Sequence, residues 1–307
     1  MRWNRSTHRP IPSERGRRVA PARLERTEVP REGLSIWQPI HLGVDENSRP
    51  VHITLAERNL LIGGEPGGGK SGALNLIVGH AALSPDCRIV LIDGKQVELG
   101  GWAACADIFV GPNPAAAIVQ LTRVQAEMDR RYALLLERKI RKIPPGDPRL
   151  APIVVAVDEV AYYSATVGTK TQQAAVTALL RDLVARGRAA GVITVAATQR
   201  PTAEVVSPSL RDLFGYRWAF RCTTPTSSDV ILGNGYAKQG YSAVDINPAA
   251  RGVGWLLAEG GHPRRIKSAF LPDEHITALA QVAAQLRAHR PLPPCATLTG
   301  PSDSDGT

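Results

Sequence analysis

The stretch that decides the fold is Gly64-Glu65-Pro66-Gly67-Gly68-Gly69-Lys70-Ser71, which matches G-x-x-x-x-G-K-[ST] at every fixed position. An apolar run at residues 60–62 precedes it and a helical pattern at 70–83 follows it, which is the strand–loop–helix context that the motif requires. Glycines let backbone N–H groups turn inward around a phosphate, and the helix N-terminus adds a positive dipole end. We therefore predict that residues 64–71 bind a nucleotide, with Lys70 at the β- and γ-phosphates and the Ser71 hydroxyl on Mg²⁺.

A second apolar run, at residues 153–157, ends in Asp158 and Glu159. Two acids at the end of a buried strand are costly unless they meet a metal ion or a water-filled cleft. Asp158 fits the shell of the same Mg²⁺, usually through water, and Glu159 fits the general base that activates the attacking water. The chain lacks the N-K-x-D signature of guanine-nucleotide enzymes, so ATP is the expected nucleotide.

A third apolar run, at residues 193–197, is followed by Thr198 and Gln199. Either side chain is placed to sense the γ-phosphate or to hold the attacking water, and a polar cap between strand and loop is the alternative role.

Apolar runs alternate with helical patterns along the chain. The runs lie at 60–62, 88–92, 153–157 and 193–197, and the helical patterns lie at 70–83, 115–140 and 172–190. This alternation predicts an α/β fold with a mostly parallel sheet and helices on both sides. Strand-like pieces at 216–222 and 254–257 are expected to extend the sheet at one edge.

Charge and composition divide the chain into three parts. The 307 residues are 43% hydrophobic and 21% charged, which is ordinary globular composition. The formal net charge of +9 is concentrated in residues 1–31, which hold nine arginines, no lysine and three glutamates. We predict a disordered arginine-rich tail at 1–33, a folded body at 34–290 and a second disordered segment at 291–307. The first tail either binds phosphate nonspecifically, in nucleic acid or at an acidic membrane surface, or is a solubilising leader.

The cysteines and the apolar runs indicate the compartment. Four cysteines, at positions 87, 105, 222 and 295, are too widely spaced for a zinc knuckle or a redox C-x-x-C motif. We therefore expect reduced thiols in a cytoplasmic protein. No apolar run approaches the ~20 residues that a membrane-spanning helix needs, and the N-terminus lacks a signal-peptide core. Membrane contact is expected to be peripheral or through a membrane-anchored partner.

The sequence resembles the FtsK/SpoIIIE family of DNA translocases over residues 35–285. The most specific sign is A-T-Q-R-P at 197–201, which generic P-loop proteins do not carry. Four further segments resemble family motifs. The family's D-P-K…E-L corresponds to 93–99, where Gly94 replaces the proline, and its E-M-E-R-R-Y corresponds to 127–132. Its R-A-A-G corresponds to 188–191 and its G-A-F-V-S-D-E to 268–274. The resemblance implies a RecA-like P-loop ATPase motor domain over the folded body, with ATP and Mg²⁺ as cofactors. It also implies a homo-oligomeric ring, expected to be a hexamer, around double-stranded DNA.

The chain departs from the family pattern in two respects. Asp229 stands where the family often has an arginine in S-R-T-I-L, so an arginine that reaches the neighbouring subunit must come from elsewhere. Arg217, which matches the arginine of the family's R-I-A-F strand, is the first choice. Arg200 and Arg188 are the alternatives, and a salt bridge is the competing role of each. The chain also shows neither the transmembrane helices nor the winged helix of chromosome-partitioning members.

These observations favour the compact family members of actinomycete plasmids and integrative elements, which transfer double-stranded DNA between cells. We therefore predict an ATPase that translocates double-stranded DNA, most specifically in conjugative transfer. A chromosome-partitioning translocase, the ATPase of a type VII protein-secretion system and a nucleotide-dependent scaffold are the alternatives. Type VII ATPases usually contain several ATPase domains, whereas this chain has one. The intact Glu159 argues against a scaffold, because a protein that does not hydrolyse ATP need not keep a catalytic base.

Overall fold

The computed structural model describes residues 33–299, in which ten strands form one sheet between two layers of helices. The strands are β1 Ile40–Asp45, β2 Pro50–Ile53, β3 Leu60–Gly63, β4 Arg88–Asp93, β5 Ile108–Val110, β6 Ile153–Asp158, β7 Val192–Thr198, β8 Tyr216–Phe220, β9 Val253–Ala258 and β10 Arg264–Ser268. The helices are α1 Lys70–Ala82, α2 Pro114–Glu137, α3 Lys170–Ala190, α4 Pro208–Arg211, α5 Pro225–Leu232, α6 Asp273–His289 and α7 Ala296–Thr299.

Six strands form the parallel part of the sheet, in the order β5, β4, β6, β7, β3, β8. Every residue of β3, β4, β6 and β7 is buried, as expected for strands covered on both faces. The predicted mostly parallel sheet is confirmed. Parallel strands bring their carboxyl ends to one edge, so the loops after β3, β6 and β7 lie side by side.

The other four strands extend the sheet beyond β8 with antiparallel pairing. β9 pairs with β8, β10 with β9, β1 with β10 and β2 with β1. The predicted extension by residues 216–222 and 254–257 is therefore confirmed. The sequence patterns do not identify β1, β2 or β10, because these strands are only partly buried and lack a continuous apolar run.

Each face of the sheet has its own apolar core. Along β6, Val155 contributes to the core beneath α2 and α3, and Val154 contributes to the core beneath α1 and α6, which is the alternation that a strand imposes on its side chains. Helix α3 begins at a capping box formed by Thr169 and Gln172, a device that satisfies the free N–H groups of a first turn. Among residues 33–299, no helix is both long enough and apolar enough to cross a bilayer.

The end of the chain differs from the prediction of a disordered segment at 291–307. Helix α7 lies against α2, and Leu298 is only 2% exposed. A guanidinium N–H of Arg88 also donates to the Pro293 carbonyl. The proline-rich composition predicts disorder, but residues 291–299 contact the folded body through Leu298 and the Pro293 carbonyl. Residues 300–307, like residues 1–32 of the predicted tail, lie outside the described residues.

A buried ionic cluster joins α2 to the ends of α3 and β6. Glu127 is fully buried and accepts hydrogen bonds from Arg130 (2.7 Å) and Arg131 (2.8 Å). Arg131, also buried, donates to the carbonyls of Ala190 and Ala151 (2.9 Å each). Burial by itself raises the pKa of Glu127, but the two arginines outweigh it and lower that pKa to about 2.

We predict that Glu127→Gln lowers the free energy of unfolding by about 3–5 kcal/mol, because it leaves the buried Arg131 charge uncompensated. Urea denaturation is the measurement. Asp129→Asn is the matched control. It removes a charge from the same helix at an exposed pair with Arg186 and is expected to cost about 1 kcal/mol or less.

The same cluster predicts a pH dependence. Because the pKa of Glu127 is depressed from 4.5 to about 2 in the folded state, its contribution is complete above the unfolded pKa and lost as the pH falls toward about 2. This acid-sensitive component is expected in the wild type and not in Glu127→Gln. Equal stability of the two proteins at pH 7 would contradict the assigned role.

Candidate nucleotide-binding site

The glycine-rich loop connects β3 directly to α1, as the motif predicts. Gly64 and Gly69 have φ angles of +152° and +123°, which L-residues with side chains rarely adopt. A Cβ at Gly64 would lie 2.7 Å from Phe220 Cβ, and a Cβ at Gly69 would lie 2.6 Å from Gly252 Cα. The loop is therefore held closely by its neighbours, and only glycine fits at these two positions.

Lys70 and Asp158 meet at the base of the loop. The Lys70 ammonium donates to Asp158 Oδ1, and both side chains are almost fully buried. Burial raises the pKa of Asp158, and the Lys70 ammonium opposes that effect. Asp158 Oδ2 is buried with no hydrogen-bond partner among the described residues. This oxygen has lone pairs to offer a cation or its water shell, so Asp158 fits its predicted part in the Mg²⁺ site. The other predicted ligand, Ser71, lies beside Lys70 at the start of α1 and lines the adjoining cavity.

Glu159 is fixed by the end of the neighbouring strand. Its two carboxylate oxygens accept hydrogen bonds from the Thr198 hydroxyl and the Gln199 backbone N–H, both at 2.9 Å. Glu159 has a φ of +59°, an uncommon conformation that is often found at functional sites. A π-helical turn, Tyr162–Thr166, follows it, and such turns are frequent at functional sites. The carboxylate is therefore oriented by β7 rather than free to rotate.

Thr198 and Gln199 occupy different positions. Thr198 is buried and its hydroxyl is engaged by Glu159, whereas Gln199 lines a cavity of about 530 Å³ beside the glycine-rich loop. The structure thus brings the residues predicted from the first, second and third apolar runs to one edge of the sheet.

The opposite wall of this cavity is formed by residues that have no predicted role in the site. Arg251 and Gly252 precede β9, and Lys267, Ser268, Ala269 and Phe270 end β10 and follow it. The Gly252 N–H donates to the Gly68 carbonyl at 2.8 Å, which ties this wall to the loop. The G-A-F-V-S-D-E resemblance at 268–274 was the one available signal, and it does not indicate proximity to residues 64–71.

Glu65, an acid inside the glycine-rich loop, forms a salt bridge with Arg221 that the sequence patterns do not predict. Its carboxylate pairs with Arg221 at 2.9 Å, and its backbone N–H donates to the Arg221 carbonyl at 2.9 Å. An unpaired carboxylate here would repel an anionic ligand, so Arg221, at the end of β8, offsets that charge.

Arg217 lies away from the glycine-rich loop of the same chain. It pairs in register with Leu61 inside the sheet, before the strand edge at which the loop begins. Its side chain is 19% exposed and approaches Asp212 at 3.4 Å, while its Nε is buried without a hydrogen-bond partner among the described residues. Burial lowers the pKa of Arg217, and Asp212 opposes that effect.

The other residues considered for the arginine role are more exposed. Arg188 is exposed and approaches Glu259 at 3.4 Å, and Arg200 is exposed just after β7. Asp229, at the family's arginine position, accepts hydrogen bonds from the backbone N–H groups of Gly235 (2.9 Å) and Ala237 (2.8 Å). Asp229 therefore holds the loop after α5.

Comparison with known proteins gives sequence relatives and similar folds. The FtsK/SpoIIIE family model matches residues 35–150. The DNA translocase FtsK of Staphylococcus aureus (strain COL) is 28% identical over 257 residues, covering 77% of this chain and 31% of that protein. FtsK of Halalkalibacterium halodurans is 29% identical over 270 residues, covering 81% and 33%. The chain thus spans about a third of the length of these relatives.

Two solved structures share the fold. The pCW3 conjugation coupling protein TcpA, in its monomer form with ATPgS, has a TM-score of 0.69 at 20% identity, covering 85% of this chain and 75% of that one. The cytoplasmic domain of the type VII secretion ATPase EccC of Thermomonospora curvata has a TM-score of 0.65 at 21% identity, covering 85% and 32%. These likenesses confirm the predicted fold, a mostly parallel sheet with flanking helices. The match of residues 35–150 to the FtsK/SpoIIIE family model agrees with the family resemblance of the segments at 64–71, 93–99 and 127–132.

Proposed function

We propose that this chain hydrolyses ATP and uses the reaction to move double-stranded DNA. The observation that carries the proposal is the meeting of Lys70, Asp158 and Glu159 at one edge of the parallel sheet. The family domain and the FtsK relatives support DNA as the substrate. The fold shared with TcpA, a conjugation coupling protein, supports conjugative transfer of a plasmid or integrative element.

Each residue of the site has a role in hydrolysis. The backbone N–H groups of Gly67, Gly69, Lys70 and Ser71 surround the phosphates, and the Lys70 ammonium exchanges its contact with Asp158 for the β- and γ-phosphate oxygens. The Ser71 hydroxyl and Asp158 would hold Mg²⁺, Asp158 through water, and the ion would neutralise phosphate charge. Glu159, oriented by Thr198 and the Gln199 N–H, accepts the proton of the attacking water. The Gln199 side chain faces the same cavity and positions that water.

The proposed assembly is a homo-oligomeric ring, a hexamer, with DNA in its channel and each site completed by an arginine of the next subunit. A guanidinium suits this task because its planar fork fits phosphate oxygens. The proposed DNA contacts are mainly to phosphates and therefore salt-sensitive. Protein export is the alternative substrate class, because EccC shares the fold. A chromosome-partitioning role is the alternative among DNA translocases, because the FtsK relatives match 77–81% of this chain.

Two substitutions separate nucleotide binding from hydrolysis. Lys70→Ala is expected to weaken ATP binding, because it removes the cation that faces the phosphates. Glu159→Gln is expected to retain ATP binding and to lower turnover by about 10²–10⁴-fold, because it removes only the base. Calorimetry and phosphate release are the measurements, and Glu46→Gln, at an exposed pair with Arg265, is the control. Wild-type turnover by Glu159→Gln would show that another group is the base.

Translocation is tested by triplex displacement, in which a motor moving along duplex DNA strips off a third-strand oligonucleotide. We expect ATP-dependent displacement by the wild type and none by Glu159→Gln, which binds DNA and ATP without turnover. Rapid ATP hydrolysis with no displacement and no binding to duplex DNA would contradict the DNA proposal and favour protein export.

The arginine proposal is tested by mixing mutants. Arg217→Ala is expected to keep ATP binding and ring assembly and to lose most hydrolysis. Lys70→Ala lacks the other half of the interface site, so mixed rings contain some interfaces with both halves intact. Recovered ATPase activity on mixing supports action in trans. Mixed rings that form without recovery would return Arg217 to a structural role beside Asp212 and direct the search to Arg200 and Arg188.

A further inference from the structure

Phe270 is an aromatic side chain left open at the wall of the nucleotide cavity. It is 74% exposed, although a phenyl ring is normally among the most buried side chains. A Cβ added at Gly72 would lie 3.8 Å from Phe270 Cδ2, so the ring stands over the first turn of α1. Gly72 directly follows the Lys70–Ser71 pair of the phosphate loop.

The position of this ring is fixed relative to the phosphate loop. The Gly252 N–H donates to the Gly68 carbonyl at 2.8 Å, and the Ser268 N–H donates to the Gly252 carbonyl at 2.7 Å. The Ala269 N–H donates to the Leu42 carbonyl on β1 at 2.8 Å. Backbone hydrogen bonds therefore link the glycine-rich loop to Gly252 and Ser268, and Ala269 to β1. The backbone that precedes Phe270 is held by the sheet.

The cavity between the loop and Phe270 has the size and charge for a whole nucleotide. Its volume of about 530 Å³ falls within the ~300–1,000 Å³ of small-molecule sites. Arg251 and Lys267 line it as well, and the Lys267 ammonium donates to the Arg251 carbonyl. Positive charge thus lies at the wall as well as at Lys70, which suits an anionic ligand that extends from the loop toward the ring.

We propose that Phe270 is the platform for the base of the bound nucleotide, which stacks on the phenyl ring while its phosphates occupy the glycine-rich loop. This inference rests on the proposed function of the loop and adds the residue that holds the base. A base offers an apolar face and a π-system to an exposed ring, and such stacking strengthens binding independently of base-edge hydrogen bonds. Phe270 therefore contributes affinity for the base and ribose end of ATP without taking part in hydrolysis.

The test compares a ligand that has a base with one that lacks it. Calorimetry measures the Kd of Mg-ATP and of Mg-tripolyphosphate for the wild type, Phe270→Ala and Phe270→Trp. We expect Phe270→Ala to weaken ATP binding by about 10- to 100-fold, since a stacked base is worth that much in affinity, and to leave tripolyphosphate binding within about twofold. Phe270→Trp restores a ring and is expected to bind ATP as the wild type does. Leu136→Ala, an exposed apolar residue on α2, is the control.

Steady-state kinetics gives a second measurement. If Phe270 acts on binding, Phe270→Ala raises the KM for ATP and leaves kcat at saturating ATP within about twofold. Light scattering of the same variants reports the oligomeric state.

Any other outcome would contradict the proposal that Phe270 stacks on the base of the nucleotide. An equal loss of affinity for both ligands would mean that Phe270 shapes the phosphate loop, and unchanged ATP affinity would mean that the base lies elsewhere. A change in oligomeric state at unchanged ligand affinity would mean that a neighbouring subunit covers the phenyl group of Phe270. A wild type that binds tripolyphosphate as tightly as ATP has no base subsite, whereas a wild type that binds neither ligand contradicts the proposed function itself.

Discussion

The buried ion pair between Lys70 and Asp158 is the contact on which the site depends. It joins the loop after β3 to the end of β6, although β7 lies between these strands in the sheet. Burying two charges costs desolvation free energy unless the charges compensate each other. The ion pair uses Asp158 Oδ1 and leaves Asp158 Oδ2 without a hydrogen-bond partner among the described residues. The arrangement is therefore poised for a ligand that brings a cation to Asp158 and anionic oxygens to Lys70, which is the charge pattern of a metal–nucleotide complex.

The strand order explains why the remaining groups fall where they do. Because β7 runs between β3 and β6, its end at Thr198 lies next to Glu159 and opposite the loop. A hydroxyl and a backbone N–H then fix the carboxylate of Glu159, whose left-handed conformation turns it from the strand direction. The antiparallel strands beyond β8 bring Gly252 and Phe270 back to the same loop. One sheet edge thus supplies the glycine-rich loop, the two acids and the opposite wall of the cavity.

Much of this could be predicted from sequence, because local patterns carry it. The glycine-rich loop, the two acids and the four apolar runs are each contiguous, and burial on both faces makes the strands recognisable without alternation. The second cavity wall could not be predicted, because it depends on the pairing of β8 with β9 and of β10 with β1, and the strands of each pair are distant in sequence. The same holds for Arg221, which meets Glu65 only through the β3–β8 pairing. The contact of Leu298 could not be predicted from a proline-rich segment. The choice among the three arginines would depend on the proposed neighbouring subunit, which one sequence does not describe.

The central claim is that ATP turnover at this edge is coupled to double-stranded DNA. The most direct measurement is the steady-state ATPase rate with and without linear duplex DNA, at several salt concentrations and with single-stranded DNA of the same sequence as the control. The account predicts that duplex DNA raises the rate several-fold or more, that single-stranded DNA does so less, and that the stimulation declines as salt weakens phosphate contacts. An ATPase rate that is the same with and without duplex DNA, at every salt concentration and in assembled rings, would contradict it.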